Sequence, residues 1–300
     1  MTAGPRRFTH HDFNLVVVSL IWGGNYSITK LALAHIDPIL MGALRFSLST
    51  VLLWTLVGAL RQHGPLPRRT LWRLLGWGVV GHTLNQFAFL SGLKLTSATN
   101  SALIFGNLPV VVALLGLMLG HERPKPRVWI GIGLGTVGVM VVVGAKGLHF
   151  GTETFRGDGL SVLALLFWAL FTVGVRREAL GLNSAQVTAI THLGGTPGFL
   201  LAAAPQLAHL DPGSLHPAVW TGLLYSSVLS SVLAAVLWTR SLKALGGSRT
   251  ALYNCITPLF AGLTAWALLG ERPVPVQGLG ALLVIVGVLV SRAPAEEVEG

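Results

Sequence analysis

Glu122-Arg123-Pro124-Lys125-Pro126 returns 149 positions later as Glu271-Arg272-Pro273-Val274-Pro275, and the sequence around it returns with it. Sliding Leu93–Ala145 onto Leu242–Pro294 without a gap places Leu93-Lys94 on Leu242-Lys243, Ala102-Leu103 on Ala251-Leu252 and Pro109 on Pro258. Gly131 falls on Gly280, and Gly138-Val139 on Gly287-Val288. Leucine coincidences are expected in apolar sequence. Prolines, a charged pair and glycines held in one register are not, so the chain reads as an internal duplication. The front halves follow more weakly: Leu20-Ile21-Trp22 resembles Leu166-Phe167-Trp168, with Lys30 opposite Arg176.

The duplicated unit is a membrane unit. Of 300 residues, 52% are hydrophobic and 11% charged, where a soluble domain has about a quarter charged. Mean hydropathy is +0.68. Apolar runs of about 20 residues recur, each enough to cross ~30 Å of hydrocarbon as a helix. They are continuous rather than alternating, which argues against a membrane barrel. The expected fold class is therefore all-α and polytopic. Its ten transmembrane helices fall at 13–34, 38–60, 70–93, 98–119, 126–145, 157–179, 185–204, 217–242, 249–269 and 274–292. Prolines such as Pro38, Pro124, Pro217 and Pro273 punctuate the joins. The stretch from Lys146 to Arg156 is expected to be a non-helical link, and the tail from Ala293 a short acidic end. The first span has no small-residue cleavage site after it and reads as retained.

The net charge of +10 raises nucleic acid as a partner. The cations sit in short loops, however, where they orient the chain in the bilayer. Under the ten-span reading, 15 of the 21 Lys and Arg fall on one side and five on the other, with Arg45 inside a span. That bias predicts both termini in the cytoplasm of a bacterial inner membrane. Five spans per copy turn the second copy, 157–292, upside down relative to the first, 13–145. The loops agree: His121-Glu-Arg-Pro-Lys-Pro-Arg127 carries three cations and its twin, Gly270-Glu-Arg-Pro-Val-Pro-Val276, carries one. Inverted repeats of this kind hold substrate near the midplane between them.

Ten spans as five plus five, a central proline in spans four and nine, and the His/Gly-Glu-Arg-Pro that follows each resemble the EamA-type exporters of the drug/metabolite transporter superfamily. Within them, the general likeness is to the bacterial aromatic amino acid exporters. The resemblance covers about 13–292. It implies a central cavity lined by spans one, three, four, six, eight and nine, with spans five and ten peripheral.

Candidate site residues come from the polar and aromatic positions of those spans. His82, Asn85, Gln86 and Phe89 lie at i, i+3, i+4 and i+7, on one helix face. Polar groups facing lipid are costly, so that face meets protein or a water-filled cavity. Trp22, Asn25 and Tyr26 on span one, and Trp168 and Thr172 on span six, are further wall candidates. Both tryptophans are too deep for an interfacial belt. They are expected to approach the midplane from opposite sides with an aromatic substrate between them. Ser101 and Phe105 on span four, Tyr225 on span eight, and Tyr253 and Asn254 on span nine complete the set. Interhelical hydrogen bonding or packing is the competing role for each. Pro109 and Pro258 are expected to kink their helices, freeing the carbonyls of Phe105 and Asn254. Arg45, with His192 near the matching place in span seven, is a candidate for a substrate carboxylate or a gate, although it could also snorkel.

Absences narrow the function. No Asp or Glu lies deep in a span, which disfavours polycation export and carboxylate-based proton coupling. Gly133-Leu-Gly135-Thr-Val-Gly138 spells a dinucleotide fingerprint but has no preceding strand. The single cysteine, Cys255, supports neither a disulfide framework nor a thiolate metal site. No nucleophile–base pair or metal-ligand spacing suggests an enzyme. The reading is a transporter without cofactor or metal, exporting small organic solutes, most of all aromatic or neutral amino acids, by alternating access. Its partners are the small-molecule substrate and the lipid bilayer, with no nucleic acid, and it is a monomer or weak homo-oligomer. The competing carrier reading, a nucleotide-sugar or other metabolite transporter, calls for more cavity cations than one arginine and two histidines.

Overall fold

The computed structural model describes residues 9–61, 64–120, 124–144, 152–270 and 275–292. Glu122-Arg123, Glu271-Arg272-Pro273, residues 146–151 of the link and the tail from Ala293 lie outside the described residues. Among the described residues the chain is helical throughout, with no strand.

The helices run α1 His10–Leu33, α2 Pro38–Ala59, α3 Arg68–Gly78, α4 Asn85–Leu95, α5 Ala98–Gly106, α6 Leu108–Met118 and α7 Pro126–Gly144. They continue as α8 Thr152–Ala179, α9 Ser184–Leu207, α10 Pro217–Leu224, α11 Ala235–Leu245, α12 Gly247–Leu252, α13 Thr257–Leu269 and α14 Val276–Arg292. The end of the expected link is helical, because α8 starts at Thr152. Among the described residues six helical stretches are long and apolar enough to cross a membrane by length and composition, including His10–Leu33, Pro38–Ala59 and Ser184–Leu207.

Local chemistry sets the starts. Thr9 and Asp12 form a capping box on α1: the Asp12 amide donates to Thr9 Oγ1, and the Thr9 amide donates to Asp12 Oδ2 at 2.9 Å. Asp37 accepts from the Ile39 amide at 2.8 Å ahead of Pro38, and Asn183 accepts from the Ala185 amide at 2.9 Å. Each such cap satisfies a helix-end donor that would otherwise be orphaned.

Two helix pairs are not α-helical throughout. A π-helical turn, Val79–Leu84, joins α3 to α4, and a longer one, Tyr225–Ala234, joins α10 to α11. Such i→i+5 insertions are rare and recur at functional sites. The prolines act as helix breaks rather than mid-helix kinks. Pro109 sits at the start of α6 after a break at Asn107, and Pro258 at the start of α13 after the 3-10 turn Tyr253–Ile256. The carbonyl freed at Phe105 accepts from the Asn254 side-chain amide at 3.0 Å.

Packing pairs the front of the chain with its back. α2 lies on α9, α4 on α8, α1 on α13 and on the α10–α11 rod, and α7 on α14. The α7–α14 contact is reciprocal in sequence. A Cβ added to Gly138 would lie 2.6 Å from the Gly280 carbonyl oxygen, and one added to Gly287 would lie 2.6 Å from that of Gly131. Only glycine permits both approaches. The outside is apolar, with large exposed residues such as Val51, Met118 and Leu201 at 64%, 80% and 78%. A water-soluble monomer rarely shows such a surface.

Candidate functional site

Where these helices meet, a central cavity has about 80 Å³ of room for water centres. Trp22, Asn25, Tyr26, Arg45, His82, Asn85, Gln86, Phe89, Phe105, Trp168, His192 and Asn254 line it. The stripe on α3–α4 arrives complete, carried by the π turn and the start of α4.

Arg45 on α2 is the cation of the wall. It is 5% exposed. Its Nε donates to Ser231 Oγ at 2.9 Å, and its two terminal nitrogens donate to Gln86 Oε1 at 3.1 Å and to Ser230 Oγ at 3.5 Å. Every one of these acceptors is neutral, and among the described residues no Asp or Glu lines the cavity. A guanidinium carries a fork of five donors suited to a carboxylate. Gln86 is held in turn, its Nε2 donating to Asn85 Oδ1 at 2.7 Å while Asn85 Nδ2 donates to the Ala164 carbonyl at 2.7 Å. That chain ties the π-turned rod to α8 and orients the oxygen that meets Arg45.

The two histidines touch, with ring centroids 4.0 Å apart. His192 Nδ1 lies 3.0 Å from the Thr188 carbonyl, and a carbonyl only accepts, so Nδ1 carries the proton. His82 Nε2 lies 3.2 Å from Thr191 Oγ1, whose hydroxyl already donates to the Thr188 carbonyl. The approach needs Gly195 on α9, where a Cβ would meet His82 Cβ at 2.4 Å.

Aromatic rings fill the remaining walls. Trp22 and Trp168 meet directly, edge-to-face with centroids 5.6 Å apart, and Trp238 packs on both at 5.0 and 6.1 Å. No ring fits between Trp22 and Trp168 at that spacing, so the expected stacking position is a joint wall instead. Tyr26, Phe89 and Phe105 form a second cluster, with Phe89 5.5 Å from each of the other two.

Four candidates lie elsewhere, each in an interhelical or local bond. Ser101 faces Ser161 Oγ at 3.2 Å, and Thr172 donates to the Trp168 carbonyl at 2.8 Å. Tyr225 donates to the Ile21 carbonyl at 2.9 Å, tying the second π turn to α1. Tyr253 donates to Asp12 Oδ1, with Arg249 3.7 Å from the same oxygen, so the start of α1 is bound to α12 and the turn after it. A polar residue within a span bonds a neighbour as readily as it lines a cavity. The wall also includes Phe46, Ser230, Ser231, Ala235 and Thr257. The serines were visible in the sequence as a run on span eight, and the π turn decides that Ser230 and Ser231 face inward.

Comparison with known proteins places this geometry. An uncharacterized transporter of Archaeoglobus fulgidus is 32% identical over 93% of this chain and 96% of its own. A protein of Salmonella typhimurium named as a probable amino-acid metabolite efflux pump is 25% identical, covering 93% of each chain. An S-adenosylmethionine/S-adenosylhomocysteine transporter of Chlamydia trachomatis is 24% identical over 93% of this chain and 86% of that one. A solved crystal structure superposes with a TM-score of 0.73 at 19% identity, covering 94% of this chain and 96% of the other, which shows a shared fold. The EamA-like transporter family model matches twice, at residues 11–144 and 155–293. The chain belongs to the EamA-like transporter family.

Proposed function

We propose that the chain exports small organic solutes, aromatic or neutral amino acids foremost, across a bacterial inner membrane by alternating access between two inverted five-helix halves, 13–145 and 157–292. The observation that carries the substrate class is Arg45: a buried guanidinium on the cavity wall with only neutral oxygen partners and aromatic rings around it. Burying a cation without an anion is costly, and a substrate carboxylate supplies the anion. The rings suit an apolar or aromatic side chain. One relative is named as a probable amino-acid metabolite efflux pump and another as a transporter of S-adenosylmethionine, which carries an α-amino acid group.

The inverted-repeat reading is supported by reciprocity of contact. Phe105 and Asn254, 149 residues apart and matched in the two copies, bond each other. Gly138 meets Gly280 while Gly287 meets Gly131, again matched positions. A self-complementary contact between equivalent residues is the mark of a two-fold relation. The charge bias of the loops supports cytoplasmic termini.

Counterflow in proteoliposomes tests the substrate class. Labelled L-tryptophan is expected to exchange fastest, L-threonine more slowly and a sugar nucleotide not at all. Exchange of the sugar nucleotide with no exchange of any amino acid overturns the proposal.

A further inference from the structure

A second groove shares no lining residue with the central cavity. It encloses about 700 Å³ between the end of α2, the turn from α8 into α9, and α11. Its walls divide by chemistry. Leu56 and Leu60 of α2, Leu182 and Val236 are apolar, whereas Arg240 and Lys243 are cations one turn apart on α11. These segments end on the loop face that carries the cation excess, the cytoplasmic one in the reading above.

No acid answers the two cations. Among the described residues none lines the groove. Glu178, near the end of α8, is paired with Arg73 at 2.9 Å. Lys243 Nζ donates to the Leu182 carbonyl, a neutral acceptor. Arg240 is exposed and has neither hydrogen bond nor ion pair among the described residues. α9 opens at the same place, where Asn183 caps the Ala185 amide at 2.9 Å, so the helix start adds partial positive charge. Reciprocal bonds between Gln186 and Gly64, at 3.1 and 3.3 Å, fix the loop after α2 against α9 and hold the rim in shape. The apolar side continues into the bilayer: Val51 on α2 and Leu233 before α11 lie deeper and are 64% and 43% exposed.

We infer that this groove binds one phospholipid with an anionic headgroup. Arg240, Lys243 and the start of α9 hold the phosphate, and the acyl chains lie along Leu56, Leu60 and Val236. A guanidinium forks onto phosphate oxygens, and basic pockets between spanning helices suit anionic headgroups. The two wall types select this occupant. A free phosphate leaves the leucine and valine walls uncovered. A choline lipid brings a third cation to a rim that already has two. The bound lipid bridges the two halves of the chain, because α2 belongs to the first and α9 and α11 to the second.

The test is lipid titration into the detergent-solubilised full chain, read by native mass spectrometry and thermal melts. Phosphatidylglycerol should be retained one to one and raise the melting temperature. Phosphatidylcholine with the same acyl chains should need at least about tenfold more lipid for the same effect. Inorganic phosphate at matched ionic strength should not displace phosphatidylglycerol. Arg240→Gln alters an exposed side chain without an internal partner, so its lipid-free melt should match wild type. It should weaken phosphatidylglycerol retention about tenfold, and Arg240→Gln/Lys243→Gln about a hundredfold. Arg68→Gln/Arg69→Gln removes two exposed cations at the start of α3, on the same face and outside the groove, and should leave retention unchanged. Equal retention of the two lipids, or equal losses in the two double variants, overturns the inference in favour of general surface attraction. Displacement by inorganic phosphate overturns it in favour of a small-anion site.

Discussion

Arg45→Gln separates a functional cation from a structural one. The wild-type guanidinium reaches three neutral oxygens, of Ser231, Gln86 and Ser230, at 2.9, 3.1 and 3.5 Å. Among the described residues no carboxylate lines its cavity. If Arg45 were there for stability, removing it would strand those acceptors and lower the melting temperature. The electrostatics point the other way, because a cation out of water without a counter-anion is a net cost that its removal relieves. Glutamine also donates, so one of the three acceptors keeps a partner. The melting temperature of Arg45→Gln is therefore expected to match or exceed that of wild type. Affinity should move in the opposite direction. A hydrogen bond to a charged group contributes about 1.5–3 kcal/mol, which is roughly a 10- to 150-fold rise in Kd for L-tryptophan. Tryptophanamide, whose carboxylate is replaced by a neutral amide, should lose far less. The assay is binding of both ligands to detergent-solubilised protein beside a thermal melt. A lower melting temperature with unchanged tryptophan affinity, or equal losses for the acid and the amide, would make Arg45 a structural cation.

Gly138→Val and Gly287→Val should destabilise equally, each by about 1–3 kcal/mol through overpacking, because their added side chains would strike matched carbonyls. Gly133→Ala, with nothing within 4 Å, should gain about 0.5–1 kcal/mol as a helix-interior glycine replaced; thermal melts read all three. Trp168→Ala removes a ring shared with Trp22 and Trp238. Trp168 also lines the cavity, and one aromatic contact between it and the substrate ring is worth about 0.5–1.5 kcal/mol, so counterflow of tryptophan should fall roughly three- to tenfold more than that of threonine. Equal loss for both would leave Trp168 as packing. A reporter fused after Arg292 should be active only as a cytoplasmic fusion, and periplasmic activity would reverse the orientation.

How much of this was legible in the sequence depended on the kind of signal. Backbone punctuation was legible: prolines such as Pro38 and Pro217 mark joins that the helices respect, and the matched glycines fall on a helix contact. The periodic stripe His82, Asn85, Gln86 and Phe89 was legible because its spacing selects one face, and all four side chains line the cavity. Polarity alone was not enough. Ser101, Thr172, Tyr225 and Tyr253 sit on cavity-bearing segments, yet each spends its hydroxyl on a neighbouring group. Nothing in composition distinguishes such a bond from a cavity wall. The prolines were read as kinks, and the 3-10 turn before Pro258 and the break before Pro109 show the helices stopping and restarting. Ser230 and Ser231 were obscured by the π turn, whose i→i+5 bonding rotates side chains off the 3.6-residue register on which helix faces are assigned.

Alternating access requires that one cavity receive the substrate from each face in turn. Ala235 lines that cavity and makes no side-chain hydrogen bond, so a cysteine there disturbs little. In a Cys255→Ser background, Ala235→Cys should react with a membrane-impermeant thiol reagent supplied from either side of sealed vesicles. L-tryptophan should protect it from both sides, with half-protection near the concentration that half-saturates counterflow. A cysteine that reacts from one face only, or that reacts equally fast with saturating tryptophan present, would contradict the claim.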